Sequence, residues 1–233
     1  LCGSLSEACA EDITPSFSQK LDIQVRYDNR SNRPSREQYR LRYYPSLALT
    51  STWSVNSFIV TGDDFSSSHN TFGSDTTDYL YARRLYLRHE TNAGKTELGI
   101  IPTYKGRVSS TGLSKDGWIT GIRHVRKLQN NTALEIVVGQ LANAEASEAF
   151  NVGEEDEYFE IEYSAKMGGR HSYEASFERM LNGTFARAEY RFRINEEDTA
   201  FVELVQRTDE SAAKIVVGTS GEFAASAFNT SYP

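Results

Sequence analysis

The sequence predicts an all-β fold: a transmembrane, antiparallel, up-and-down β-barrel of about twelve strands. Three observations carry this. From Phe17 to Tyr27, the residues Phe17, Leu21, Ile23, Val25 and Tyr27 alternate with Ser18, Lys20, Asp22, Gln24 and Arg26. The same period of two recurs along the whole chain in segments of roughly ten residues, with no helical period competing with it. No apolar run approaches the roughly 18 residues of a membrane-spanning helix. A strand with charge on one face and hydrocarbon on the other separates two environments. A series of such strands is expected to close with lipid outside and polar groups inside.

The strands are expected, in order, at 16–29, 37–50, 53–63, 78–91, 95–105, 117–128, 132–142, 157–167, 171–181, 184–194, 199–208 and 213–223. The alternation is fullest in the second (Tyr39, Leu41, Tyr43, Leu47 against Arg40, Arg42, Ser46), the eighth (Phe159, Ile161, Tyr163 against Glu160, Glu162, Ser164) and the tenth (Ala186, Ala188, Tyr190, Phe192 against Arg187, Glu189, Arg191, Arg193). Ser51-Thr52, Asn92-Ala93-Gly94, Gln129-Asn130-Asn131 and Gly168-Gly169-Arg170 have the residues of tight turns. Between them lie longer polar loops at 30–36, 64–77, 106–116 and 143–156. Short turns at one end and long loops at the other are the asymmetry of an outer-membrane barrel, with the turns periplasmic. Tyr79, Tyr81, Tyr104, Trp118 and Tyr158 beside the long loops are expected to form an interfacial girdle, with Phe17 and Trp53 at the other end.

Four places strain the pattern. Arg83 takes the lipid face if Arg84 and Arg88 face inward, so a bulge at Arg83-Arg84 or snorkelling has to absorb it. His124 and Arg126 fall on the lipid face near a turn. Pro45 and Pro102 each remove a ladder hydrogen bond and suggest bulges. The chain closes on Asn229-Thr230-Ser231-Tyr232-Pro233, so either Phe223 or Phe228 ends the last strand or the terminus is cut short.

The 233 residues show no compositional break, and mean hydropathy is -0.53. That value resembles a soluble protein only because barrel strands interleave their apolar residues with polar ones. A net charge of -7 argues against a nucleic-acid partner, whose phosphates need a basic surface. Ala8-Cys9-Ala10 before Glu11 has the small-x-small form of a signal-peptidase site. Residues 1–10 are therefore expected to be the tail of a secretory signal, and 11–233 a single barrel domain. Cys2 and Cys9, the two cysteines, both lie in that segment: retained, they could pair in an oxidising periplasm; removed, they leave a mature chain without cysteine.

The inward-facing charges suggest a function. Arg26, Arg40, Arg42, Arg84, Arg88, Arg187, Arg191 and Arg193 come from the first, second, fourth and tenth strands. Glu135, Glu160, Glu162, Glu174 and Glu178 come from the seventh to ninth. In a twelve-strand ring a guanidinium wall would face a carboxylate wall. Arginine stays charged and presents a fork to carboxylates, sulfates and phosphates, while Tyr44 and Tyr86 offer flat faces to sugar rings. The eight arginines, with Glu160 and Glu162, form the candidate ligand-binding set. The bland reading is that these groups pair with one another inside a narrow lumen.

Twelve strands, a little over 200 residues and inward arginine ladders resemble the small monomeric porins specific for oligogalacturonate and sialic acid. The stretch Gly106-Arg107-Val108 to Lys115-Asp116-Gly117-Trp118, followed by Gly121-Ile122-Arg123, is similar to segments of alginate-type and general porins. The resemblance implies a monomer in the bacterial outer membrane, in contact with bilayer lipid and lipopolysaccharide. It also implies passive uptake of small anionic solutes such as acidic oligosaccharides.

Other readings remain open. An outer-membrane hydrolase would draw on His89 or His124 as base and Ser164 or Ser176 as nucleophile, but none lies in a recognisable signature. No catalytic residue, metal cluster or cofactor fingerprint is assigned. A closed barrel could serve as an anchor or adhesion surface, with the Ser-, Thr- and Asp-rich loop 64–77 binding a partner or folding inward. A soluble β-sandwich would show the same alternation.

Overall fold

Alternation at this length leaves the backbone one economical option, pairing each strand with the next, and the computed structural model shows that arrangement. It describes residues 14–62, 68–73, 80–103, 117–141, 145–151, 158–180 and 182–220. The strands are β1 (Ser16–Arg30), β2 (Arg33–Ala48), β3 (Trp53–Thr61), β4 (Asn70–Thr71), β5 (Leu80–Thr91), β6 (Gly94–Pro102), β7 (Trp118–Lys127), β8 (Thr132–Gln140), β9 (Tyr158–Met167), β10 (His171–Met180), β11 (Gly183–Arg193), β12 (Thr199–Arg207) and β13 (Ala212–Ser220). All belong to one sheet in the order β1-β2-β3-β5-β6-β7-β8-β9-β10-β11-β12-β13, every neighbour antiparallel. The two-residue β4 continues the edge of β3 along the far half of β2, pairing Gln38 with Thr71 and Tyr39 with Asn70. The expected all-β, up-and-down order therefore holds. A sandwich would need two separate ladders, and the described residues form one.

Local chemistry explains the turns. Asn130 and Asn131 both adopt left-handed backbone (φ 59 and 57), the conformation a two-residue hairpin turn requires. Asn195 Oδ1 accepts hydrogen bonds from the backbone N–H groups of Glu197 and Asp198, closing the β11–β12 turn. One expected loop is replaced by strand. Residues 30–36 form a tight hairpin in which β1 and β2 run on to Arg30 and Arg33, with Arg36 donating to Asp28 at 3.0 Å across the ladder. The loops expected at 64–77 and 143–156 fall partly, and that at 106–116 wholly, outside the described residues.

The bulge expected at Arg83-Arg84 is present. Phe58 pairs with Arg84 but Ile59 pairs with Ala82, leaving Arg83 as the extra residue. Both arginines are buried: Arg83 donates to the carbonyls of Thr61 and Gly62 and lies over Trp118, 5.6 Å from the ring centre. The charge that alternation would have sent into lipid is used to close the end of β3. The prolines behave otherwise than expected. The β2–β3 ladder skips Tyr44 and Pro45 but resumes in the same register, β1–β2 is unbroken there, and Pro102 pairs with Trp118 at the end of β6, so neither makes a bulge.

The inner face packs most tightly between β6 and β11, where Ile101, Ile119, Val137, Tyr158 and Met180 form one cluster. A second cluster joins Ile100 and Trp118 to Ala146 and Ala149, which flank a single turn of 3-10 helix at Ala146–Glu148. Trp118 and Tyr158 are thus core residues, not members of a girdle; Tyr81 packs against the second cluster, and Tyr79 and Tyr104 lie outside the described residues.

The strands also approach closely. Gly121 pairs with Gly139, and a Cβ on Gly121 would lie 2.2 Å from the carbonyl oxygen of Val138. Gly121→Val is therefore expected to destabilise the fold by about 1–3 kcal/mol through overpacking. The check is the urea midpoint of detergent-refolded protein; an unchanged midpoint would contradict this packing.

Candidate functional site

The strand register divides the side chains into two faces. On one, Val55, Leu87, Leu98, Ile122, Val138 and Phe159 stand side by side across six strands. Leu134, Tyr163, Ala175, Ala188, Leu204 and Ile215 continue the same face from β8 to β13. Much of this band is open: Leu98 is 56% exposed, Val138 49% and Val217 74%. Soluble monomers rarely present a contiguous apolar surface beyond a few hundred Å². The opposite face carries the charges.

On that inner face the charges are locked together. Arg187 on β11 lies within 4 Å of five carboxylates: Glu162 on β9 (2.7 Å), Glu189 on its own strand (3.3 Å), Glu174 on β10 (3.5 Å), Glu203 on β12 (3.5 Å) and Glu178 on β10 (3.7 Å). Arg191 pairs with Glu174 at 3.0 Å and also with Glu189. Ser176 accepts from Arg187 Nε and donates to Glu178. Tyr158 donates to Glu160 at 2.6 Å. Water is almost excluded: Glu160 and Glu203 are fully buried, and Arg187 is 4% exposed.

A second knot lies on β5–β8. Glu97 is fully buried and receives Arg88 (2.7 Å), Arg123 (3.0 Å) and Lys95 (3.3 Å), while Arg123 also reaches Glu135 at 2.9 Å. Arg84 donates to the carbonyl of Gly117 and stacks on Phe58, which in turn stacks on Tyr44. Tyr86 accepts a hydrogen bond from Arg88. The flat faces of Tyr44 and Tyr86 are thus engaged by neighbours.

The candidate set therefore divides. Arg84, Arg88, Arg187, Glu160 and Glu162 lie within the packed layer. The two walls expected to oppose each other are interleaved here, because Arg88 and Arg187 find carboxylates on their own and nearby strands. The knot around Arg187, and the roles of Glu189 and Glu203, escaped sequence reasoning. Their inward parity was readable, but which carboxylates converge on one guanidinium depends on strand stagger.

The other arginines stand in more open surroundings. On β1 and β2, Arg26 is exposed and donates to Gln38, while Arg40 and Arg42 are half-buried, with Arg42 3.9 Å from Asp22. His69 reaches Gln24 on the same wall. At the short-turn end of β9–β12, Arg191 and Arg193 join Lys166, Arg170 and Ser172 around a cavity of about 260 Å³. Arg193 is exposed. The hydrolase pairing has no geometric basis, since Ser164 and Ser176 face inward and His89 and His124 face outward. Among the described residues no three His, Cys, Asp or Glu side chains are placed to hold a metal ion.

The Arg187 knot sets a stability expectation. Arg187→Met leaves five carboxylates around a vacated charge and should cost about 3–5 kcal/mol. Adding Glu189→Gln and Glu203→Gln should restore part of that loss. Denaturant unfolding of the single and triple variants measures both steps; a triple variant weaker than the single would contradict the assignment.

Comparison with known proteins adds little. No protein-family model matches the chain, and no curated protein matches it significantly. Among solved structures it is similar to the in vitro folded, trimeric form of OmpT, an outer membrane protein of Vibrio cholerae. That similarity covers 91% of this chain and 85% of the other, at 12% identity and a TM-score of 0.37.

Proposed function

We propose that the chain is a bacterial outer-membrane β-barrel that passes small, preferentially anionic solutes. The observation that carries the membrane half of this reading is the continuous exposed apolar band on one face of a sheet whose other face is charged. In water that band would drive aggregation; in a bilayer it is the lipid contact, and the antiparallel ladder satisfies the backbone.

The transport half rests on the uneven inner face. Buried ion pairs on β5–β12 make most of that wall rigid and engage Arg88, Arg123 and Arg187. The solvent-accessible positive charge lies on β1–β2 (Arg26, Arg40, Arg42) and in the cup formed by Lys166, Arg170, Arg191 and Arg193. A solute path would run along these groups, which suit carboxylates and sulfates of acidic oligosaccharides. The barrel would work as a monomer among phospholipid and lipopolysaccharide.

A second reading is favoured by the same burial. If the ion-pair layer fills the lumen, the protein is a closed barrel that serves as an anchor or binding surface. Single-channel conductance of refolded protein in planar bilayers separates the two. A channel should prefer anions and be blocked by acidic but not neutral oligosaccharides, and Arg40→Ala with Arg42→Ala should weaken that block about tenfold, the worth of one charge-assisted contact. Silence from correctly inserted protein would leave the closed barrel.

A further inference from the structure

Two outward polar residues that alternation leaves unexplained, His124 and Arg126, line a small site with a third, His89. The register puts Trp53, His89, Thr96 and His124 in one row across β3, β5, β6 and β7. Thr91, Gly94 and Arg126 form the next row toward the short turns. Between the rows lies a cavity of about 190 Å³, lined by His89, Thr91, Gly94, Thr96, His124 and Arg126.

Gly94 lets β6 and β7 approach closely beside the cavity. Its φ is +152, and a Cβ there would sit 2.0 Å from the carbonyl oxygen of Val125, so β6 and β7 could not close up beside a larger residue. Lys95 also lines the cavity, and its ammonium is paired with Glu97 at 3.3 Å. Arg126 is exposed and has no ion-pair partner among the described residues, and no carboxylate lines the cavity. Thr96 Oγ1 lies 2.9 Å from His124 Nδ1. With the hydroxyl donating there, the neutral ring keeps its proton on Nε2, available as a donor. Trp53 stacks on His89 at 4.4 Å.

We propose that this outward pocket at the short-turn end holds the phosphate of a glycerophospholipid, gripped by Arg126 with His124 and His89 as further donors. The inference rests on the membrane reading above. Its level follows from sequence position, since His89 and Arg126 lie within a few residues of the turns, where a barrel meets headgroups. Trp53 is the amphipathic ring that favours that depth. Beside the pocket Leu98 and Ile122 present apolar surface to acyl chains, at 56% and 43% exposure. A guanidinium that would be costly in mid-bilayer becomes favourable where a phosphate meets it.

The test is native mass spectrometry of the whole refolded chain in non-ionic detergent, with phosphatidylglycerol, diacylglycerol and inorganic phosphate as separate probes. Phosphatidylglycerol should give a retained one-to-one adduct, and diacylglycerol and inorganic phosphate should not. Arg126→Gln should weaken the adduct about tenfold, the loss of one charge-assisted contact. Arg126→Lys should recover part of it, and His124→Gln should weaken it less. Unchanged lipid retention in Arg126→Gln, equal retention of diacylglycerol, or equally tight inorganic phosphate would overturn the proposal. Insertion into vesicles, followed by heat-modifiable mobility, is read in parallel. Failure to insert overturns the membrane reading and this site with it, whereas insertion with indifferent lipid retention overturns the site alone.

Discussion

The charged face of this sheet is held by two ion-pair knots whose central groups, Arg187 and Glu97, are buried. Around Arg187 five carboxylates from four strands meet one cation, and around Glu97 three cations meet one carboxylate. Each knot ties strands together beyond their backbone ladders and the apolar cluster of β6 to β10. Taking such charges from water is expensive, and the expense is offset only when every partner is in place. The curvature and stagger of β5 to β12 are therefore coupled to the side chains. A slip of one residue in any of these strands would turn its carboxylates to the apolar face.

That coupling explains how much could be read from the residues alone. Strand positions were legible to within a few residues because period two is a local signal, and the Arg83-Arg84 bulge was legible because two adjacent arginines cannot both obey it. The hairpin at residues 30–36 was missed: its polar run looks like a loop, yet Arg36 and Asp28 stabilise it as strand. Trp118 and Tyr158 were misplaced because an aromatic near a loop has the same local sequence whether it faces lipid or core. The partition of the arginines into buried and open sets was not legible at all. It depends on which strands lie next to each other at which height, a property of the whole sheet.

The two faces differ in how they tolerate charge. Inside, Arg187 and Arg123 are stabilised by carboxylates that surround them, while the arginines of β1 and β2 stand nearer solvent. Outside, His89, His124 and Arg126 are confined to the short-turn end, while the rows between hold Leu, Ile, Val and aromatic residues. His171 follows the same rule at another turn, 2.6 Å from the hydroxyl of Tyr190 and beside Phe192. Three of the four histidines thus mark one rim of the apolar band.

The ladder has a beginning and an end. Among the described residues β1 pairs only with β2, and β13 only with β12, so each leaves one row of backbone N–H and C=O groups without a strand beside it. In water such an edge is hydrated at little cost, but in hydrocarbon each unmet group costs several kcal/mol. On the membrane reading, the sheet cannot enter the bilayer strand by strand. Its passage from water to lipid has to coincide with the seam between the first and last strands zipping shut. The slow step of its biogenesis would then be a topological event at that seam, one that an assembly catalyst can accelerate by occupying the free edge until its own partner arrives.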